Sequence, residues 1–327
     1  MIISRTPLRM SFVGGGSDLP DFYRKFGGAV LSTAIDKYVH VTVNRKFDSG
    51  IRIAYSRNEE VANVGDVKHR LVRAVLTRMG IVGGVEITTI ADVPSHGTGL
   101  GSSSSFAVGL INALSAFQGR HVSCDDLGRH SCHAEIDLCG EPIGKQDQYA
   151  ASFGGFNLIE FRQDDSVLVT PVIMAPEVRD SLFRRIIVFY TGIARSASGI
   201  LEVQSQEVST DKTKQNTVQK MVSLAYQLRS ELQYGRLDSF GELLHENWLL
   251  KKTLANSVSS DTIDRWYETA RMAGALGGKI LGAGGGGFLM FYAPEEAHER
   301  ISASLAPLRR IQFGFEPLGS RIIFYNP

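Results

Sequence analysis

The stretch Pro94-Ser-His-Gly-Thr-Gly-Leu-Gly-Ser-Ser-Ser-Ser105 sets three glycines and four consecutive serines directly ahead of an apolar, helix-like segment, Phe106 to Phe117. Glycines let backbone N–H groups approach a ligand, because no Cβ stands in the way. The start of the following helix offers unpaired N–H groups and a partial positive charge. Together they make an anion site suited to phosphate, over Gly97, Gly99, Leu100, Gly101, Ser102, Ser103 and Ser104. The serine hydroxyls can bind phosphate oxygens or ligate magnesium. The alternative is an ordinary Gly/Ser loop capping a helix.

Three further groups of residues bear on chemistry. Arg5-x-Pro7-Leu-Arg9 leads into Gly14-Gly-Gly-Ser-Asp18. That glycine turn (Gly15, Gly16, Ser17) admits a polyhydroxylated ligand to the backbone, Asp18 can accept two hydroxyl hydrogen bonds, and Arg9 can supply a fixed charge. Glu135 is expected on a helix, with Asp147 in the loop after the helix stop at Gly140. One carboxylate could serve a magnesium ion and the other an acceptor hydroxyl. Last, Gly282-Ala-Gly-Gly-Gly-Gly287 formally matches the dinucleotide fingerprint, but a strand-like Phe288-Leu-Met-Phe-Tyr292 follows where that fingerprint needs a helix. A Rossmann site is therefore rejected, and the absence of Gly-x4-Gly-Lys-Ser/Thr rejects a P-loop NTPase.

The elements expected to position these residues are short strands at Ile2–Ser4 and Met10–Val13, strands at Ala29–Ile35 and Tyr38–Asn44, a helix over Lys68–Met79 and a strand over Gly84–Ile90. A second helix after the Gly/Ser loop starts at Ser123 as N-cap. The later half opens with an apolar strand over Arg184–Tyr190. Helices follow at about Ala197–Glu207, Val218–Tyr234, Asp238–Lys252 and Thr262–Ala275, with closing strands at Ile311–Phe315 and Arg321–Tyr325. Strands and helices in runs, without strict alternation, indicate an α+β fold. The expected division is residues 1–180 and 181–327.

The 327 residues are 43% hydrophobic, enough for a substantial core, and the formal charge of +1 gives no reason to expect nucleic acid or an anionic membrane as partner. Cys124, Cys132 and Cys139 show no zinc spacing and read as reduced thiols, which fits a cytoplasmic location. The first residues lack the layout of a signal peptide, and no apolar run approaches the roughly 18 residues of a membrane span.

In this order the motifs resemble the GHMP kinases, the superfamily of galactokinase, homoserine kinase, mevalonate kinase and phosphomevalonate kinase. Pro94 to Ser104 is similar to the family's central phosphate motif, and Lys279-Ile-Leu-Gly-Ala-Gly-Gly-Gly-Gly287 to its C-terminal glycine motif. Two departures stand out: serines continue where many members have alanines, and Gly14-Gly-Gly-Ser-Asp18 replaces galactokinase's Gly-Glu-His-Thr-Asp. The sugar-kinase branch with heptose 7-phosphate kinases and L-fucokinase is nearer, through Arg5-Thr-Pro-Leu-Arg9, Gly14 to Pro20, Gly27 to Leu31, Ile35-Asp-Lys-Tyr38, Gly144-Lys-Gln-Asp-Gln148 and Tyr190 to Arg195.

The resemblance implies an N-terminal domain like domain 2 of ribosomal protein S5 and a ferredoxin-like C-terminal domain, with ATP and acceptor meeting between them. It implies ATP phosphates over Gly97–Ser104, Mg2+ on Ser103 and Glu135, and Asp147 as catalytic base paired with Arg9. Gly284, Gly285 and Gly286 would lie near the active site. Asp18, with Gly15, Gly16 and Ser17, would bind sugar hydroxyls; Arg195 or Lys145 would meet an acceptor phosphate. The implied reaction phosphorylates the anomeric hydroxyl of a heptose 7-phosphate, for nucleotide-activated heptose and surface polysaccharide. An L-fucose- or mannose-type kinase and a non-catalytic sugar sensor remain alternatives, and the oligomeric state stays open.

Overall fold

The structure is a computed structural model and describes residues 1–94 and 97–326. The first half runs β1 (Ile2–Val13), α1 (Pro20–Phe26), β2 (Gly28–Arg45), β3 (Ile51–Ala54), β4 (Asn58–Val61), α2 (Arg70–Arg78), β5 (Val85–Ala91), α3 (Ser102–Phe117), α4 (Cys124–Cys132), α5 (Gln146–Phe153), β6 (Phe156–Phe161), β7 (Val167–Pro171) and α6 (Pro176–Arg184). The second half runs β8 (Ile186–Tyr190), α7 (Ala197–Thr210), α8 (Lys212–Gln233), α9 (Phe240–Lys252), α10 (Asp261–Met272), β9 (Gly277–Ile280), β10 (Phe288–Tyr292), α11 (His298–Ser304), β11 (Arg309–Ile311) and β12 (Arg321–Tyr325).

Where the sequence predicts two strand pairs broken near Pro7 and Ile35, β1 and β2 are each continuous. Pro7 lacks an N–H, and the ladder absorbs this by shifting register: Pro7 lies opposite Tyr38 and Leu8 opposite Ile35, so Asp36 and Lys37 bulge out of β2. The long β2 pairs with β6 through Gly28–Thr33 and with β5 through Val39–Arg45. The eight-stranded sheet is ordered β12-β1-β2-β5-β3-β4, with β6 and β7 branching from β2. The last strand therefore returns to the first sheet, beside β1. The other sheet, ordered β11-β8-β10-β9, is antiparallel throughout and has the ferredoxin-like strand arrangement.

Buried α3 lies against β1 and β2, where Gly109 lets Ser4 Oγ donate to its carbonyl at 2.8 Å. One core is continuous from β1 and β2 to α8, α9 and the Phe288, Met290 and Tyr292 face of β10. The alternate residues Leu289 and Phe291 enter a second core with Trp248, Ile263 and Tyr267. A strand covered on both faces reads as an unbroken apolar run, as Phe288–Tyr292 does. Lys279 joins the two sheets: it is fully buried and donates to Ser11 O at 2.8 Å and Phe12 O at 3.0 Å.

Candidate active site

Arg9 and Asp147 meet at the centre of the site. Arg9 lies on β1, and its Nε and Nη2 donate to the two Asp147 carboxylate oxygens, each at 2.7 Å. Its Nη1 donates to Gly99 O at 2.6 Å, and its backbone N–H to Leu100 O at 3.1 Å. One arginine thus fixes both the carboxylate and the glycine loop, in the planar geometry a guanidinium favours. Asp147 is not in a loop as the sequence reading expected. It sits in the first turn of α5, where the helix's unpaired N–H groups favour a negative charge.

The glycine loop is shaped by contact as well as by backbone freedom. Gly99 and Gly101 have φ of +77° and +76°, in the left-handed region that disfavours side chains. A Cβ on Gly101 would stand 3.2 Å from Asp147 Oδ2 and 3.4 Å from Arg9 Cγ. A Cβ on Gly99 would overlap Leu281 O, and one on Gly287 would overlap Thr98 O. The two glycine loops therefore touch backbone to backbone. Gly284 presses on Val258, Gly285 on the Arg195 side chain, and Gly286 on Ile193.

The serines do not precede α3, as expected, but form its first turn. Ser105 Oγ donates to Pro7 O at 2.8 Å and anchors that turn to β1, while the N–H groups of Ser102, Ser103 and Ser104 lack helical acceptors. Ser103 is exposed and donates to Glu135 Oε1 at 2.9 Å. Glu135 sits in a π-helical turn, His133–Leu138, that extends α4. Gln148 Nε2 donates to its other oxygen at 2.6 Å.

Only 2% exposed, Glu135 is pushed up to about 7 by burial, against the lowering effect of its hydrogen bonds to Ser104, Gln148 and Ser103. A carboxylate so placed takes up either a proton or a cation. Among the described residues no group of three or more acidic, His or Cys side chains forms a metal cluster. The donor set is thus one hydroxyl and one carboxylate. That fits Mg2+, which prefers hard oxygens and shares its sites with phosphate oxygens and water.

On the acceptor side, Asp18 is buried, its Oδ1 accepting from Gly16 N–H at 3.1 Å and its Oδ2 from Gln146 N–H at 3.3 Å. Burial first, then the Asp147 charge, raises its pKa. Ser17 is wholly buried; its Oγ bonds Gly14 O at 2.8 Å and Ala29 N–H at 3.1 Å, so it shapes the turn rather than facing a ligand. Arg195 lies beside Gly97 and Gly285. Lys145 is committed elsewhere: its Nζ reaches Asp165 O at 3.0 Å and Asp165 Oδ1 at 3.3 Å, 4.7 Å from the Tyr23 ring centroid.

Sequence reading gave Gln148 no role beyond its place in the Gly144–Gln148 motif and passed over Gln204, Asn247 and Lys251, all buried. The signal was present. Asn247 and Lys251 share a helical stripe with Phe240, Leu243, Leu244 and Trp248, and Gln204 lies between Ile200 and Val208, so all three occupy core positions of amphipathic helices.

Residues 67–155 match the model of the GHMP kinase N-terminal domain, and residues 225–307 that of the GHMP kinase C-terminal domain. The chain is 31% identical over 317 residues to the D-glycero-alpha-D-manno-heptose 7-phosphate kinase of Campylobacter jejuni, covering 92% of each chain. It belongs to the GHMP kinases. The L-fucokinase/L-fucose-1-P guanylyltransferase of Bacteroides fragilis is 26% identical across 96% of this GHMP kinase but only 37% of the relative's own length. A crystal structure of a D-glycero-D-manno-heptose 1-phosphate kinase from Bacteroides thetaiotaomicron superposes with a TM-score of 0.82 at 25% identity, covering 100% of both chains. Lactococcus lactis galactokinase shares the fold, with a TM-score of 0.79 at 19% identity.

As a GHMP kinase with sugar-kinase relatives, the protein is a phosphotransferase with an alcohol acceptor. Members of the family use ATP, generally with Mg2+. Among the described residues no helix is long and apolar enough to cross a membrane.

Proposed function

We propose that this kinase transfers the γ-phosphoryl group of ATP to the anomeric hydroxyl of D-glycero-D-manno-heptose 7-phosphate, giving the 1,7-bisphosphate and ADP. The observation that carries the chemistry is the Arg9–Asp147 pair set directly beneath the Gly99–Gly101 backbone. The acceptor rests on the match to a heptose 7-phosphate kinase along nearly the whole of both chains.

In this reading the N–H groups of Gly97–Ser104 and the start of α3 hold the triphosphate. The acceptor oxygen bonds to the γ-phosphorus as the bond from that phosphorus to the β,γ-bridging oxygen breaks. The hydroxyl proton passes to Asp147, and Arg9 keeps that carboxylate aimed. Ser103 and Glu135 would hold Mg2+, which when bound neutralises triphosphate charge. Asp18 and the backbone of Gly15 and Gly16 would receive sugar hydroxyls. Phosphoryl transfer depends mainly on positioning and charge neutralisation, so the loop contributes more than the base.

The test is ADP release with Mg-ATP across D-glycero-D-manno-heptose 7-phosphate, the unphosphorylated heptose, L-fucose, mannose, galactose and homoserine. Preference for the heptose 7-phosphate is expected. Preference for L-fucose or mannose would replace the substrate and leave the kinase chemistry standing.

A further inference from the structure

Beside the Gly14–Asp18 turn lies a set of buried polar groups that the transfer chemistry leaves unused. Lys251, at the end of α9, is 4% exposed, and its Nζ donates to Gly282 O. The same nitrogen lies 3.9 Å from the position a Cβ on Gly15 would take. Gln204 of α7 is 0% exposed; its amide abuts Gly16, and neither its oxygen nor its nitrogen has a partner among the described residues. Arg195, from the loop after β8, has three buried guanidinium nitrogens, and none has a partner among the described residues.

Buried donors without acceptors are costly, and buried cations without an anion more so. The cost is visible in both cations. Burial lowers Arg195 to about 10. Burial first, then the Arg195 charge, lowers Lys251 to about 8, with Arg9 adding to the shift and Asp18 and Asp147 opposing it. The two acids offset this only in part: Asp147 is held on both oxygens by Arg9 and Asp18 by backbone N–H groups. The missing partner is an anion with several acceptor oxygens.

We propose that Lys251, Arg195 and Gln204 form a second phosphate subsite, which grips the phosphate the acceptor already carries. The inference rests on the proposed function for the identity of the sugar, but not for the acceptor's charge. The γ-phosphate of ATP has the same chemistry. Arg195 packs on Gly97 and Gly285, and Lys251 bonds Gly282 O, so the set borders the ATP loop as well; the acceptor is favoured because Gln204 and Lys251 also stand over Gly16 and Gly15, on the turn that carries Asp18.

The test compares wild type with Lys251→Gln, Arg195→Gln and Gln204→Leu, each checked for folding by its melting curve. The readouts are kcat/KM for D-glycero-D-manno-heptose 7-phosphate, mannose 6-phosphate and their unphosphorylated counterparts, and KM for ATP. The ratio of phosphorylated to unphosphorylated acceptor is expected to fall about 30-fold for each cation removed, and less for Gln204. Lys251→Arg should recover part of it. KM for ATP should move by less than about threefold for Lys251→Gln and Gln204→Leu, since the triphosphate lies on the N–H groups of Gly97–Ser104.

Equal losses with both kinds of acceptor, or a loss that Lys251→Gln or Gln204→Leu expresses in KM for ATP, would overturn the subsite and leave the heptose reading intact. If wild type prefers mannose 6-phosphate and the variants erase that preference, the subsite stands and the heptose reading falls. Preference for unphosphorylated sugars overturns both.

Discussion

Asp147 and Gly101 are the residues at which catalysis and architecture can be separated. Asp147→Asn gives up the proton acceptor and one of the two Arg9 hydrogen bonds, so kcat should fall by about 10²- to 10⁴-fold and the denaturation midpoint should fall as well. ATP affinity should stay within about threefold, because the loop N–H groups and the helix start are untouched. Steady-state kinetics with nucleotide titration checks this, and near-normal turnover would remove Asp147 from the base role. Gly101→Ala asks a different question. At φ of +76° the alanine is strained by about 1–2 kcal/mol. Its methyl would also press on Asp147 Oδ2 and Arg9 Cγ. The denaturation midpoint, kcat and ATP affinity should all drop, where Asp147→Asn leaves ATP affinity within about threefold.

At the scale of elements, the clearest control is the cap of α4. Ser123 Oγ accepts from Asp126 N–H at 3.1 Å, as its position before an acidic first turn predicts. Ser123→Ala should cost about 1 kcal/mol in denaturant unfolding and leave KM values unchanged. The same cap logic applied to Asp211 would have started α8 at Lys212 rather than near Val218. Asp211 accepts from Thr213 N–H at 2.7 Å, but the polar first turns hide the helix from a search for apolar period. Elements with a strong stripe or an unbroken apolar run, such as β8, β10 and α10, were legible within a few residues. The placement of Asp147 was not. Helix α5 is short, and its early residues Gln146, Asp147 and Gln148 serve the site, so no amphipathic pattern announces it. Gln204, Asn247 and Lys251 were missed for the opposite reason: a strong stripe invites its polar members to be read as surface, when they mark a cleft. The Gly/Ser loop itself was found because glycine at these positions answers local demands, a left-handed backbone and close approach.

For the whole molecule, Lys279 links the sheets at an electrostatic cost. Burial, with Lys251 and Arg9 nearby, holds its pKa well below 10.5. Below the folded-state value both folded and unfolded chains carry the proton, and the full penalty of a buried charge applies. As pH rises from that value towards 10.5, the folded chain releases its proton first and stability rises. Lys279→Met should flatten this rise, seen as a smaller gain in urea midpoint between pH 7 and pH 9.5 than wild type shows. An equal gain in both proteins would mean that Lys279 stays charged throughout. The contact between the two glycine loops has a consequence of another kind. Gly99 and Gly282 come from opposite halves of the chain, yet each leaves no room for a Cβ on the other's side. A hybrid that joins the N-terminal half of one GHMP kinase to the C-terminal half of another inherits this seam from two parents, and unless both loops descend together the graft fails there first.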